Sequence, residues 1–149
     1  MTSEENWITR AIALAGEAAD AGERPFGAVI FLDDEEIAAA ANSTGSTGLS
    51  SRHAELNVIE IAQRSLGRRD LSGLSIACSA EPCPMCAGAI FWARLDRVFY
   101  GASIPRLVRL GQRQLSLRCG AVLRGTGIGV TGPVLEESAL QTFRSLKHR

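Results

Sequence analysis

Apolar positions at helical spacing open the chain. Trp7, Ala11, Leu14, Ala15 and Ala18 share one face of a helix over residues 6–21, with Asn6 as N-cap and Gly22 as stop. The period changes at Pro25. The run Pro25-Phe-Gly-Ala-Val-Ile-Phe-Leu predicts a strand, Asp33-Asp34 a turn, and Glu35 to Ala41 a second strand, so the three read as a hairpin. Residues 42–51 are rich in Ser, Thr and Gly and predict a loop. Helical spacing returns over His53 to Leu66, through Leu56, Ile59 and Gln63, and ends before Gly67. Leu74 to Ser79 predicts a short strand, Cys83 to Ala93 an apolar helix in which Trp92 suits the core better than a site and needs an N–H partner if buried, and Arg97 to Gly101 another strand. Strands alternating with helices imply parallel neighbours covered by helices. The remainder offers strand candidates at Gln114–Arg118 and Ala121–Val130, then a helix from Leu135 to Lys147. The expected architecture is one α/β layered domain over residues 1–149 with a mixed sheet.

Composition agrees with a packed domain. The chain has 149 residues, 46% hydrophobic and 21% charged, enough to bury a core and too apolar for disorder. No apolar run approaches the roughly 20 residues a membrane helix needs. The acidic start, Met1-Thr-Ser-Glu-Glu-Asn, has no signal-peptide character, so a cytoplasmic protein is expected. Net charge is zero but uneven: residues 1–93 hold 6 Lys/Arg against 13 Asp/Glu, and residues 94–149 hold 10 against 3. Two unlike faces, or a subunit interface where they meet, account for this split. A basic patch for RNA, built on Arg106, Arg109, Arg113 and Arg118, is the alternative, against which the overall balance weighs.

Four cysteines, at 78, 83, 86 and 119, are too few for a disulfide framework. Cys78 and Cys119 read as buried filler. Cys83 and Cys86 form a C-x-x-C that opens a helix, where residues i and i+3 share a face and the positive dipole end favours thiolates. Thiolates with an imidazole suit zinc. His53-Ala-Glu55 opens another helix. Glu55, two residues from His53, points away from an ion that His53 ligates, yet it can reach across the open side of the metal. Three ligands with one open position mark a catalytic zinc, whereas structural zinc takes four. Two thiolates and a neutral imidazole cancel the charge of zinc, so the metal acidifies water less than a three-histidine site does. Glu55 is then the residue to accept the proton and pass it on. A redox role for the C-x-x-C would leave His53 and Glu55 idle. A structural zinc would need Cys78 or Cys119 as fourth ligand.

The H-x-E…P-C-x-x-C arrangement resembles the signature of zinc nucleobase deaminases. The sequence resembles the cytidine-deaminase-like superfamily over most of its length, through Pro25-Phe-Gly-Ala-Val, Asn42, His53-Ala-Glu55 and Glu81-Pro-Cys-Pro-Met-Cys-Ala-Gly-Ala-Ile-Phe-Trp-Ala. Within it, the chain is most similar to guanine deaminases and tRNA adenosine deaminases. The resemblance implies a three-layer α/β/α fold around a mixed five-stranded sheet, one zinc on His53, Cys83 and Cys86, and Glu55 as proton shuttle. It also implies substrate contacts at Asn42, Phe26 and Ala54, and a homodimer. The implied activity is hydrolytic release of ammonia from a small aminated heterocycle: guanine or a related purine, pyrimidine or triazine. Adenosine in tRNA, cytosine, and a non-catalytic zinc-binding interaction protein are the alternatives. Guanine deaminases carry acidic residues after the stretch matching Tyr100-Gly-Ala, whereas this chain reads Ser103-Ile-Pro-Arg-Leu-Val-Arg and has no acid before Glu136.

Overall fold

The first helix, α1 (Ser3–Asp20), starts ahead of the expected Asn6 cap. Thr2 Oγ1 accepts the Glu5 amide at 3.1 Å, and the Glu5 carboxylate accepts the Thr2 amide at 2.9 Å. This reciprocal capping box satisfies donors that would otherwise lack partners. Ile8, Ala11, Leu14, Ala15 and Ala18 are buried along one face. Trp7 lies at its edge, stacked on Phe31 at 4.7 Å and donating its indole N–H to the Asp33 carbonyl.

The computed structural model describes residues 1–144. After α1 come β1 (Gly27–Leu32), β2 (Glu35–Ala41), α2 (Thr44–Thr47), α3 (Ala54–Leu66), β3 (Ser75–Ala80), α4 (Pro84–Ala93) and β4 (Arg97–Ala102). Then follow α5 (Ile104–Arg109), α6 (Cys119–Val122), β5 (Gly129–Thr131) and α7 (Glu136–Arg144). β1 and β2 form the expected hairpin, and β3 joins the free edge of β1 antiparallel. β4 is parallel to β3 and β5 parallel to β4, giving a mixed five-stranded sheet in the order β2-β1-β3-β4-β5.

Three expectations are corrected. Residues 114–118 form no strand, and the strand expected over 121–130 shrinks to β5 because residues 119–122 make a helical turn. The loop at 42–51 contains the single turn α2. α3 buries Ile59 as expected, but with Val58 and Ala62 in place of Leu56 and Gln63. The expected end of the last helix at Lys147 lies outside the described residues, as does His148.

Side chains alternate across the sheet with period two. Ala28, Ile30, Ile76, Cys78, Val98 and Tyr100 pack with α3, α4 and α6 on one face. Val29, Phe31, Ala77 and Phe99 pack on the other face with Ile8 of α1. Leu140 and Phe143 of α7 cover the end of β4 on that side. The result is a three-layer α/β/α sandwich. α1 lies on β1 so closely that a Cβ on Gly27 would stand 2.2 Å from the Ala11 carbonyl oxygen, so only glycine fits there. The Gly27 amide donates to Ser79 Oγ at 3.0 Å, tying the start of β1 to the end of β3. Among the described residues no helix is long and apolar enough to cross a membrane.

Candidate active site

Two helices start at the same place in space. His53 is the N-cap residue of α3 and Cys83 that of α4, and neither caps its helix with its side chain. Those side chains turn toward one another instead. His53 Nδ1 lies 3.7 Å from Cys83 Sγ and 3.5 Å from Cys86 Sγ. All three donor atoms lie within 4.8 Å of each other. Bonds of about 2.0–2.3 Å to a tetrahedral ion place its donors about 3.3–3.8 Å apart, so the spacing fits zinc. Pro84 at the first helical position costs α4 no hydrogen bond. The helix start stabilises negative sulfur. A hydrogen bond from Cys86 is the largest influence lowering Cys83, to about 4, and the same pairing together with burial holds Cys86 far above the ordinary thiol range. Hydrogen bonding to Cys83 is also the main effect raising His53, while the positive charge of Arg24 opposes it.

Cys78 and Cys119 are buried and stand outside this donor group. Burial raises both thiols, Cys119 to about 12. The cluster therefore offers three protein donors among the described residues, the count of a catalytic zinc with an open position rather than of a closed structural one.

Glu55, in the first turn of α3, is only 5% exposed. Burial, and then the negative charge on Cys83, raise it to about 7. A carboxyl group near neutrality both holds and releases a proton at working pH. Glu55 shares a cavity of about 450 Å³ with His53 and Cys83. Phe26 and Asn42 line the same cavity. Phe26 is held edge-on against Phe143 at 5.2 Å. Asn42 Nδ2 donates to Thr44 Oγ1 at 3.0 Å and to Glu23 at 3.3 Å. Ala54 sits elsewhere: its side chain is fully buried in the core and does not line the cavity. As first residue of α3 it has only its backbone N–H to offer there. A second concavity of about 570 Å³, along Phe91 to Arg97 and Thr126 to Ile128, holds none of the metal donors.

Arg24, Glu81, Met85 and the stretch Arg113 to Leu115 also line the catalytic cavity. Glu81 and Met85 lie in the stretch that carries the family resemblance and Arg113 in the arginine-rich segment, but no local pattern places any of these residues at the cavity. Glu81 explains how that segment is held. Its carboxylate is almost completely buried and accepts the amides of Ile104 and Cys119, both at 2.8 Å. It also accepts Arg118 Nε at 2.9 Å, and Arg118 in turn donates to the Tyr100 hydroxyl at 3.0 Å. One carboxylate thus anchors both ends of the 104–119 stretch, which is why residues 114–118 do not join the sheet. Glu81→Ala would leave two backbone N–H groups without partners. It is expected to lower stability by about 3 kcal/mol, read as a drop in urea midpoint without a change in slope. An unchanged midpoint would show that the segment is held by other means.

The profile of the cytidine and deoxycytidylate deaminase zinc-binding region matches residues 1–102. A tRNA-specific adenosine deaminase of Bacillus subtilis is 41% identical over 106 residues, a stretch covering 71% of this chain and 66% of that protein. A probable cytosine deaminase of Schizosaccharomyces pombe is 30% identical over 141 residues, covering 90% of this chain and 86% of the relative. Among solved structures, a guanine deaminase from Nitrosomonas europaea superposes with a TM-score of 0.91 at 26% identity, over 100% of this chain and 87% of the other. With zinc donors, fold and sequence in agreement, the chain belongs to the cytidine and deoxycytidylate deaminase family of zinc-dependent hydrolases.

Proposed function

We propose that this protein hydrolyses the exocyclic amine of a small aminated heterocycle, of the purine, pyrimidine or triazine kind, to the corresponding carbonyl with release of ammonia. The observation that carries this reading is the buried Glu55 carboxyl in one cavity with a three-donor His53–Cys83–Cys86 cluster. Zinc held there would supply Lewis-acid activation of water. Glu55 accepts the proton that the attacking water gives up. It delivers that proton to the ring nitrogen, then takes the proton of the newly added hydroxyl and passes it to the amine, so that the C–N bond breaks to release ammonia as the carbonyl forms. Both amide hydrogens of Asn42 are engaged by Glu23 and Thr44, so Asn42 can only accept, which suits an N–H on the substrate ring. The Ala54 N–H is a complementary donor, and Phe26 is an apolar wall for the ring. The test is ammonia release by zinc-loaded protein from guanine, adenine, cytosine, aminotriazines, their nucleosides and an RNA stem-loop with a single unpaired adenosine. Glu55→Gln serves as the blank. Turnover of a small heterocycle that vanishes in the blank supports the reading.

Adenosine in tRNA is the second reading, favoured by the 41% identical relative. The arginine-rich stretch supports it weakly. Arg106 is held by Glu136 and Glu137, and Arg118 by Glu81. Arg109 ends α5 and Arg113 follows in irregular chain, so the two do not share a helix face. Turnover of the stem-loop alone, weakening steeply with salt, would establish that reading.

A homodimer is part of the proposal. Trp92, expected in the core, is instead 77% exposed, with its ring edge against the exposed Phe91. Two large aromatics on the open side of an all-apolar helix suit a subunit interface. Sedimentation equilibrium should give a dimer for the native chain and a monomer for Trp92→Glu, and a monomeric native chain would refute it. With four unpaired thiols, two of them needed as metal donors, the protein suits the reducing cytoplasm.

A further inference from the structure

Six of the fourteen described arginines are held in ion pairs, Arg64 and Arg144 among them. Arg10 pairs with Glu36, Arg52 with Glu60, Arg106 with Glu136 and Glu137, and Arg118 with Glu81. The other eight have no ion pair among the described residues, and two of these, Arg24 and Arg113, line the catalytic cavity.

Arg24 is nevertheless fixed in place. Its guanidinium lies 5.0 Å over the Phe26 ring and donates to Gln112 Oε1 at 2.9 Å. The contact with Gln112 ties it to the segment that carries Arg113. A cation stacked on an aromatic ring and hydrogen-bonded to a neutral amide is oriented but not neutralised. Its side chain reaches solvent, yet the surrounding chain desolvates it enough to lower its pKa. Among the described residues, the carboxylates lining the cavity are Glu55 and Glu81, and Glu81 already accepts hydrogen bonds from Ile104, Cys119 and Arg118. The entrance therefore carries two cations that the protein itself does not answer.

We propose that the substrate is an anion: an aminated heterocycle bearing a phosphate or carboxylate group, which Arg24 and Arg113 grip at the cavity mouth while Phe26 packs against the ring. This rests on the deaminase reading and narrows it. A free neutral base leaves both guanidiniums without a partner, whereas an anionic tail accepts charge-assisted hydrogen bonds from a planar donor already held by Phe26 and Gln112. The volume of about 450 Å³ accommodates a heterocycle with a short polar tail.

The experiment compares free base, nucleoside and 5′-monophosphate of adenine, guanine and cytosine, together with carboxylated aminopyrimidines, on zinc-loaded protein. Variants are Arg24→Gln, Arg113→Gln and, as a surface control, Arg109→Gln. The anionic member of one series should have a kcat/KM at least roughly 10-fold above its neutral counterpart. Arg24→Gln should erase that preference, chiefly through a raised KM for the anionic compound. Equal or better use of the neutral compound, or an anion preference unmoved by Arg24→Gln and Arg113→Gln, would overturn the proposal. So would turnover of the RNA stem-loop alone, which would assign the pair to backbone phosphates. Calorimetric binding to zinc-loaded Glu55→Gln supplies a readout independent of turnover. If no compound is deaminated but monophosphates or carboxylates bind at least 10-fold more tightly than their neutral counterparts in an Arg24-dependent way, the anion site stands and the catalytic reading falls. If neither turnover nor binding responds to the anionic group, the anion site falls.

Discussion

Cys86→Ser is expected to fold, to bind zinc at least about 100-fold more weakly, and to release no measurable ammonia. Cys86 is fully buried at the start of α4, with its sulfur 3.5 Å from His53 Nδ1. A serine hydroxyl there fits the space, since it is slightly smaller than the thiol, but it does not ionise to an anionic donor at neutral pH. The site then keeps two donors, too few for a stable zinc centre. Because metal binding adds to folding stability, the zinc-loaded wild type should melt higher than the variant, and a chelator should erase most of the difference. Cys119→Ala is the control. It removes a buried thiol outside the donor group and should keep one zinc per chain at a small cost in stability. Metal analysis after dialysis reads both variants. Full zinc occupancy in Cys86→Ser would mean that the donor set is wrong.

Glu55→Gln is the second large effect, and it differs in kind. The carboxyl group is not among the three donors, so zinc content should be unchanged. The amide has the size of the acid and can fill the same buried space, but it cannot accept and return a proton. The expected loss is roughly 10²–10⁴-fold in kcat, with KM little altered. Loss of zinc together with activity would show that Glu55 supports the metal rather than moving protons. An activity loss below tenfold would mean that another group carries the proton.

How much of this was legible in the residues differs along the chain. β1, β2, α3, β3, α4 and β4 were all foreseen, because apolar runs or helical spacing are broken by turn and breaker residues such as Asp33-Asp34, Gly67, Gly73 and Pro82. The order His53, Glu55, Cys83, Cys86 was legible because the chemistry of zinc limits which residue types can stand there, and the helix starts place them together. After β4, the last helix was foreseen and is present as α7, but the stretch between β4 and β5 was not legible. Residues 114–118 have the composition of a strand, but Glu81, distant in sequence, takes the amides of Ile104 and Cys119 and holds the stretch over the cavity instead. A buried carboxylate whose partners lie 23 and 38 residues away leaves no local periodicity to read. Trp92 failed for a different reason. In a helix apolar on every side, spacing cannot tell the core face from a face covered by a partner. The uneven charge invited a simple account in which the two halves neutralise each other. Only Arg118–Glu81 joins them among the ion pairs of the described residues, and the other pairs form within each half.

The most direct test of the central claim follows the oxygen and the nitrogen together. Zinc-loaded protein is incubated with its best heterocycle in water enriched in heavy oxygen, and product and ammonia are quantified on the same samples. Hydrolytic deamination at this site predicts one ammonia per product, one heavy oxygen in each new carbonyl, and neither in the Glu55→Gln variant with zinc still bound. Product without heavy oxygen, equal turnover in Glu55→Gln, or stoichiometric zinc with no ammonia from any heterocycle tested would contradict the account.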